Sequence, residues 1–351
     1  MKSWKQILIF GLGLLGMQAC IDPLDIQPEI AQRVLVVEGG ISTAPGPHTI
    51  LISKSAQYGS RAVDEVKLET GLTGWVRDED GNQVFLIEQK PGTFHTPTGW
   101  KAEVGKSYTL FITLENGERF ASLPEKIVPV PPVSEYLTLF KEQPAVNQFV
   151  QSVGIEIFAR WQDPEEDNFY IWDTQGEYKI ITYPENHIGR DFFGNPFPAP
   201  LDCCKTCYVK EDQVNRQLRI FKDNFTNGNE QTELIAYIED DGGRFSENYM
   251  AVIDHASLTK EAFQFYDVLK NQLSISGDIF DPPTATIRGN MINLDEPESP
   301  TIGWFRGSDV YRDTIFINRS VLSNPAPPRV INDDCRVLNN STTQLPPYWP
   351  G

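Results

Sequence analysis

Ile155-Glu-Ile-Phe-Ala-Arg-Trp161 sets Ile155, Ile157, Ala159 and Trp161 two residues apart, so an extended strand carries all four on one face, whereas a helix would scatter them. The Asp163-Pro-Glu-Glu-Asp-Asn168 run that follows is turn chemistry, and Phe169-Tyr-Ile-Trp172 reads as the returning strand. Working outward, short β-rich runs recur at 178–183, 217–221, 233–239, 249–255, 301–305 and 309–317. One helix interrupts them at 258–273. Thr259 can cap it, Glu261 favours its first turn, and Ala262, Tyr266, Leu269 and Leu273 make its core-facing stripe.

The upstream half has the same grammar. Apolar runs at 34–38 and 49–53 are separated by Gly39-Gly40 and Pro45-Gly46-Pro47, which break any helix. Runs at 75–77 and 84–87 flank Asp78-Glu-Asp-Gly-Asn82, and runs at 108–114 and 118–121 flank Asn116-Gly117. Asp-Gly and Asn-Gly tolerate the positive φ of tight hairpins, so both are read as hairpin turns. These features predict a mainly β chain of two β-sandwich-like domains: an immunoglobulin-like or transthyretin-like sandwich over 33–123, and a larger β-rich domain with one helix over 133–351. Pro124, Pro129, Pro131 and Pro132 fall between them and predict a semi-rigid linker over 124–132.

The first 20 residues predict an address. Lys2 and Lys5 precede an apolar run, Ile7 to Met17, that is short of the roughly 20 residues a bilayer span needs but suits a secretory leader. Met17-Gln-Ala-Cys20 looks like a lipobox, making Cys20 the acylated N-terminus of the mature chain and the membrane attachment a lipid anchor. Residues 21–32, with acids and prolines but no periodicity, read as a tether. Asp22 and Asp25 resemble the surface-export signal of Bacteroidetes-type lipoproteins.

Removing Lys2 and Lys5 with the leader takes the net charge from −18 to −20, which repels nucleic acid and anionic headgroups. Cys203, Cys204, Cys207 and Cys335 remain, an even number in an exported chain, and predict disulfides. A bond between the adjacent Cys203 and Cys204 is expected to strain the backbone, so a bridge from the cluster to Cys335 is the expected feature. The Cys204-x-x-Cys207 spacing lacks a thioredoxin-like context, and His48, His95, His187 and His255 show no ligand spacing, so no metal or cofactor is assigned. Calcium is conceivable at the acidic turns 78–82 and 239–243, but hairpin chemistry accounts for both. Asp313-Thr314-Ile315 resembles a bacterial O-glycosylation acceptor, with Thr314 as its site. Trp349, in a proline-rich tail, is the aromatic most expected to be exposed.

The chain resembles the Bacteroidetes lipoprotein family known as domain of unknown function 4249. The stretches that carry the resemblance are the lipobox with Ile21-Asp-Pro-Leu-Asp-Ile26, Val34-Leu-Val-Val-Glu-Gly-Gly-Ile-Ser42, and Cys207-Tyr208 with Phe221-Lys-Asp-Asn-Phe-Thr-Asn-Gly228 downstream. Asp278-Ile-Phe-Asp-Pro-Pro283, Gly289-Asn-Met-Ile-Asn293, Gly303-Trp-Phe305 and the C-terminal cysteine ahead of Pro346-Pro-Tyr-Trp349 complete it. The resemblance implies an outer-membrane lipoprotein, often encoded beside a TonB-dependent receptor, and implies no catalytic residues. No G-x-S-x-G elbow, H-E-x-x-H or phosphate-cradling loop is present. The expected function is therefore a non-enzymatic, surface-facing accessory of such a receptor, acting in substrate capture or gating. A glycan- or protein-binding adhesion module, and then a hydrolase built on an unrecognised carboxylate pair, are the alternatives.

Overall fold

The computed structural model describes residues 33–56, 66–143, 152–212, 214, 218–223, 227–274, 287–347 and 349. Cys20, the leader and the tether lie outside them. The chain is mainly β, with its strands gathered into two sandwich-like bodies.

The first body packs two sheets face to face. One is ordered Thr301–Gly303, Leu35–Ser42, Thr49–Lys54, Thr93–His95, Ile87–Lys90; the other is Met291–Asn293, Arg119–Ser122, Ser107–Thr113, Thr73–Asp78, Gln83–Phe85. Both expected hairpins form, with Gly81 and Gly117 at φ +91° and +90°. Alternation does the packing: Tyr108, Leu110 and Ile112 point inward from Ser107–Thr113, meeting Val37, Ile50, Ile52 and Phe94 from the facing sheet.

Residues 291–308 depart from the sequence division, which assigns everything after 132 to the second domain. Met291–Asn293 pairs with Arg119–Ser122, while Thr301–Gly303 and Arg306–Ser308 lie parallel to Leu35–Ser42. The chain thus returns to the first body to complete both of its sheets. Gly303 permits the close parallel approach: its φ is +90°, and a Cβ there would collide with the Val37 carbonyl.

The second body sets the three-stranded sheet Val133–Gln143, Ser152–Gln162, Glu230–Glu239 against a sheet ordered Val310–Ile317, Tyr249–Ser257, Phe169–Ile181, Thr206–Glu211, Ser341–Thr342. Ile155, Ile157, Ala159 and Trp161 are all fully buried, as their spacing predicts. Phe169–Ile181 is one strand where the sequence suggests two, and at Gly176 it passes close beneath the Tyr249 hydroxyl, where a Cβ would collide. The helix is Lys260–Leu273, its N-terminus capped by the Thr259 hydroxyl, which accepts from Ala262 N–H at 3.2 Å. It covers the outer face of the larger sheet through Ala262 and Phe265, beside Phe169, Ile171 and Trp304. Leu273, expected on the buried stripe, is exposed because the helix ends there.

The proline segment is docked along its length. Ile127 is fully buried in the first core, the Val128 carbonyl accepts from Ser257 Oγ at 2.6 Å, and the Pro131 carbonyl accepts from His255 Nδ1–H at 3.2 Å. His255 is stacked on Trp172 with centroids 3.9 Å apart, and burial pushes it down to about 3, so the ring is neutral at pH 7. Glu125 lies at the same junction, 3 % exposed, accepting from Asn290 Nδ2 at 3.3 Å and Thr259 Oγ1 at 3.4 Å. Burial pushes its carboxyl up to about 7, against the opposing pull of those hydrogen bonds.

A carboxyl raised in the folded state keeps a proton that the unfolded chain has released. Its contribution to stability is therefore full below about pH 4.5 and lost as pH rises through about 7. Glu125→Gln should abolish that loss, gaining about 3 kcal/mol on the native protein between pH 4.5 and 8 by urea unfolding. A pH-independent difference between the two proteins would contradict a buried, protonated Glu125.

Candidate functional site

Between Phe169–Ile181 and Thr206–Glu211 the chain leaves the sheet as an excursion over 184–201 that sequence reading passed over. Its centre is a β-hairpin, Ile188–Arg190 paired with Pro196–Pro198 in the register Ile188↔Pro198, Gly189↔Phe197, Arg190↔Pro196. The tip is Asp191-Phe-Phe-Gly-Asn195. Asp191 Oδ1 accepts from the N–H groups of Phe193 and Asn195 at 2.9 and 2.8 Å, and Oδ2 accepts from Asn195 Nδ2 at 3.0 Å. Those bonds from Asn195 and Phe193 hold the Asp191 carboxyl below its usual range. Gly194 supplies the positive φ of +85°, and its carbonyl accepts from Arg190 Nη1 at 2.9 Å.

So braced, the tip projects two aromatic rings into solvent. Phe192 is 96 % and Phe193 85 % exposed, edge to face at 5.5 Å, with Ile188, Phe197 and Leu201 exposed behind them. Isolated surface apolar residues are ordinary, but a contiguous aromatic projection held by a rigid turn marks a contact surface. The signal available in the sequence is Asp191-Phe-Phe-Gly-Asn-Pro-Phe-Pro198, where turn formers surround three phenylalanines that no period places in a core.

The base of the excursion is tied to the C-terminal tail by the expected bridge. Cys207 and Cys335 are disulfide-bonded, both fully buried, with Cα atoms 5.7 Å apart. Cys335 N–H also donates to the Cys204 carbonyl at 3.0 Å, and the Thr182 hydroxyl donates to the same carbonyl at 3.1 Å. His187 Nδ1 lies 3.0 Å from the Asn332 carbonyl, and Tyr183 N–H donates to Ile331 at 2.8 Å. Cys203 and Cys204 are bonded to each other, contrary to the expectation that adjacent cysteines avoid pairing; once Cys335 takes Cys207, these two thiols are the ones left together.

The sulfurs of Cys203 and Cys204 lie within 4.8 Å of an Asp334 oxygen, the one grouping of this kind among the described residues. It is poorly suited to a metal: the sulfurs are bonded to each other, and Asp334 accepts from Arg336 N–H and Nε at 2.9 and 3.0 Å. Arg336 holds that carboxyl down at about 2.

The other residues singled out from sequence lie apart from the hairpin. Thr314 is exposed on Val310–Ile317, an edge strand, with its N–H bonded to Asp313 Oδ1 at 2.7 Å. Trp349 is half-buried rather than exposed, edge-on to Tyr208 at 5.2 Å, and staples the tail down. In each acidic turn one aspartate is occupied by hydrogen bonds. Asp78 takes two bonds of 2.8 Å from Asn82, and Asp240 accepts from Gly242 N–H at 2.9 Å and Ala326 N–H at 2.7 Å.

A family model described as Domain of unknown function (DUF4249) matches residues 21–314. No curated protein matches the chain.

Cys207–Cys335 closes a loop across a sequence separation of 128, so Cys335→Ser should cost about 2–5 kcal/mol in non-reducing denaturant unfolding. Replacing Cys203 and Cys204 together with Ser closes no comparable loop and should cost less than about 1 kcal/mol. Equal losses for the two variants would contradict this division of labour.

Proposed function

The chain belongs to the DUF4249 family, and we propose on that premise that it is a lipid-anchored, non-enzymatic accessory of an outer-membrane TonB-dependent receptor, touching the receptor through the hairpin at 188–198. The observation that carries this reading is the exposed Phe192–Phe193 pair on a turn rigid enough to keep it exposed. Burying each ring against a partner is worth about 1.5–3 kcal/mol, so two rings supply much of a modest affinity. Acylation at Cys20 confines the protein to the plane of the membrane, where a high effective concentration lets such an interface fill. The tether over 21–32 gives the body reach from that anchor.

The substrate-capture role follows from the same placement. A body of two joined sandwiches, held beside a barrel by one end and by its anchor, can cover or uncover the barrel mouth without any chemistry of its own.

Two measurements test this. Mass spectrometry of the membrane-extracted protein should find a lipid-modified Cys20 at the mature N-terminus; an unmodified soluble form starting elsewhere would remove the anchor. A tagged copy solubilised from outer membranes in detergent should co-purify with a β-barrel receptor. Phe192→Ala with Phe193→Ala should weaken that association about a hundredfold or more while changing unfolding stability by less than about 0.5 kcal/mol. A receptor retained equally by the double variant, or a glycan array bound specifically with no receptor recovered, would replace this reading with the adhesion one.

A further inference from the structure

Stability does not account for the bond between Cys203 and Cys204. Cys207–Cys335 spans a sequence separation of 128 with both residues fully buried, so it closes a long loop and is sealed from solvent. Cys203–Cys204 has a separation of 1 and closes no loop, so it hardly constrains the unfolded chain. Neither of its residues is buried, and Cys203 is the more exposed of the two.

The pair sits where the 184–201 excursion returns to the sheet. Leu201 N–H donates to the Pro184 carbonyl at 3.0 Å, and the Cys204 carbonyl accepts from Cys335 N–H at 3.0 Å and from the Thr182 hydroxyl at 3.1 Å. The backbone at Cys204 is therefore anchored by hydrogen bonds of its own, and its sulfur can change partner without the main chain losing its place. A disulfide that reagents in solvent can reach, and that the fold does not lean on, is suited to exchange.

We propose that Cys203–Cys204 is a redox-active pair that takes two electrons from a dithiol arriving from solvent, while Cys207–Cys335 stays closed. One thiolate of the dithiol attacks Sγ of Cys203, the sulfur more open to approach; the Sγ–Sγ bond breaks and Cys204 leaves as a thiolate. The second thiolate of the dithiol then attacks its own sulfur in the mixed disulfide, which closes the reductant's disulfide and releases Cys203. Each released thiolate takes a proton from water in place of the one its attacker lost, so the pair ends as two thiols. Asp334 is no proton donor here: its carboxylate lies within 4.8 Å of both sulfurs, but Arg336 N–H and Nε hold it ionised.

The adjacency of the two cysteines selects for a dithiol. After attack by a monothiol, Cys204 is still the next residue to Cys203, and its sulfur can return to the mixed disulfide and expel the monothiol. A reductant carrying its own second thiol outruns that return.

Dithiothreitol is the probe. The mature full-length protein, held native near neutral pH, is quenched over time with N-ethylmaleimide, and peptide mass spectrometry reads each cysteine. Cys203 and Cys204 should be modified together and at least about a hundredfold faster than Cys207 and Cys335, which are reached only through local opening. Glutathione at the same thiol concentration should leave less than about a tenth of the pair open. Protein with this pair alone reduced should unfold close to the midpoint of the oxidised protein. Cys204→Ser, which leaves Cys203 as the free thiol, should react with a small disulfide reagent at least about tenfold faster than Cys203→Ser. A pair that opens no faster than the buried bridge, or opens as readily with glutathione, would overturn the proposal. So would a loss of stability on opening it as large as that of Cys335→Ser, and equal rates for the two single variants would overturn attack at Cys203. None of these measurements involves the receptor.

Discussion

Asp309 is the point at which three segments of the chain are made into one body. Its Oδ1 accepts from the Thr43 hydroxyl of the first sandwich at 2.6 Å, its Oδ2 from Val130 N–H of the proline segment at 3.0 Å, and its N–H donates to Ser257 Oγ of the second sandwich at 2.9 Å. Ser257 in turn donates to the Val128 carbonyl, and Ser308 Oγ donates to Ser257 O at 2.7 Å. Arg306 extends the junction to Asp173 at 3.2 Å. Ser257 and Ser308 are buried and Thr43, Val130 and Asp309 partly so, and a polar group left unanswered there is expensive, so separating the sandwiches would strand several at once. The two bodies therefore behave as one rigid support. The aromatic hairpin at 188–198 is thereby carried at a set position relative to the first sandwich, which a free proline linker would not allow.

Rigidity continues toward the hairpin. The Cys207–Cys335 bridge, the Cys204 carbonyl shared by Cys335 and Thr182, and the tail strand Ser341–Thr342 pin the base of the excursion to the larger sheet. At the tip, one aspartate organises the turn. Phe192 and Phe193 are thus presented rather than merely left outside, and the entropy of ordering them is largely met before any partner arrives.

Much of this fold is legible in the sequence because its information is local. Period-two alternation is enough to bury Ile155, Ile157, Ala159 and Trp161; Asp-Gly and Asn-Gly mark two hairpins; Thr259 caps the helix. What stays hidden is tertiary. Residues 291–308 form strands of three residues, too short to carry a period, and their return to the first sandwich depends on a parallel approach that Gly303 allows without announcing it. Prolines at 129, 131 and 132 reveal an extended segment but not the Ser257, His255 and Asp309 contacts that dock it. The cysteine count reveals oxidation, while the pairing of Cys203 with Cys204 follows from where Cys335 lies. Acidity alone points to the turns at 78–82 and 239–243; that Asp78 and Asp240 are occupied by hydrogen bonds there is visible only once the chain is folded.

The central claim is that the Phe192–Phe193 tip meets a β-barrel receptor in the membrane where the lipid anchor places it. Its most direct measurement is site-specific photo-crosslinking in intact outer membranes, with a photoreactive amino acid substituted at Phe193 and, as reference, at the exposed Glu165 on a different turn. The account predicts one dominant adduct at Phe193, containing a TonB-dependent receptor, and none at Glu165. Adducts to lipid alone at Phe193, or the same receptor adduct from both positions, would contradict it.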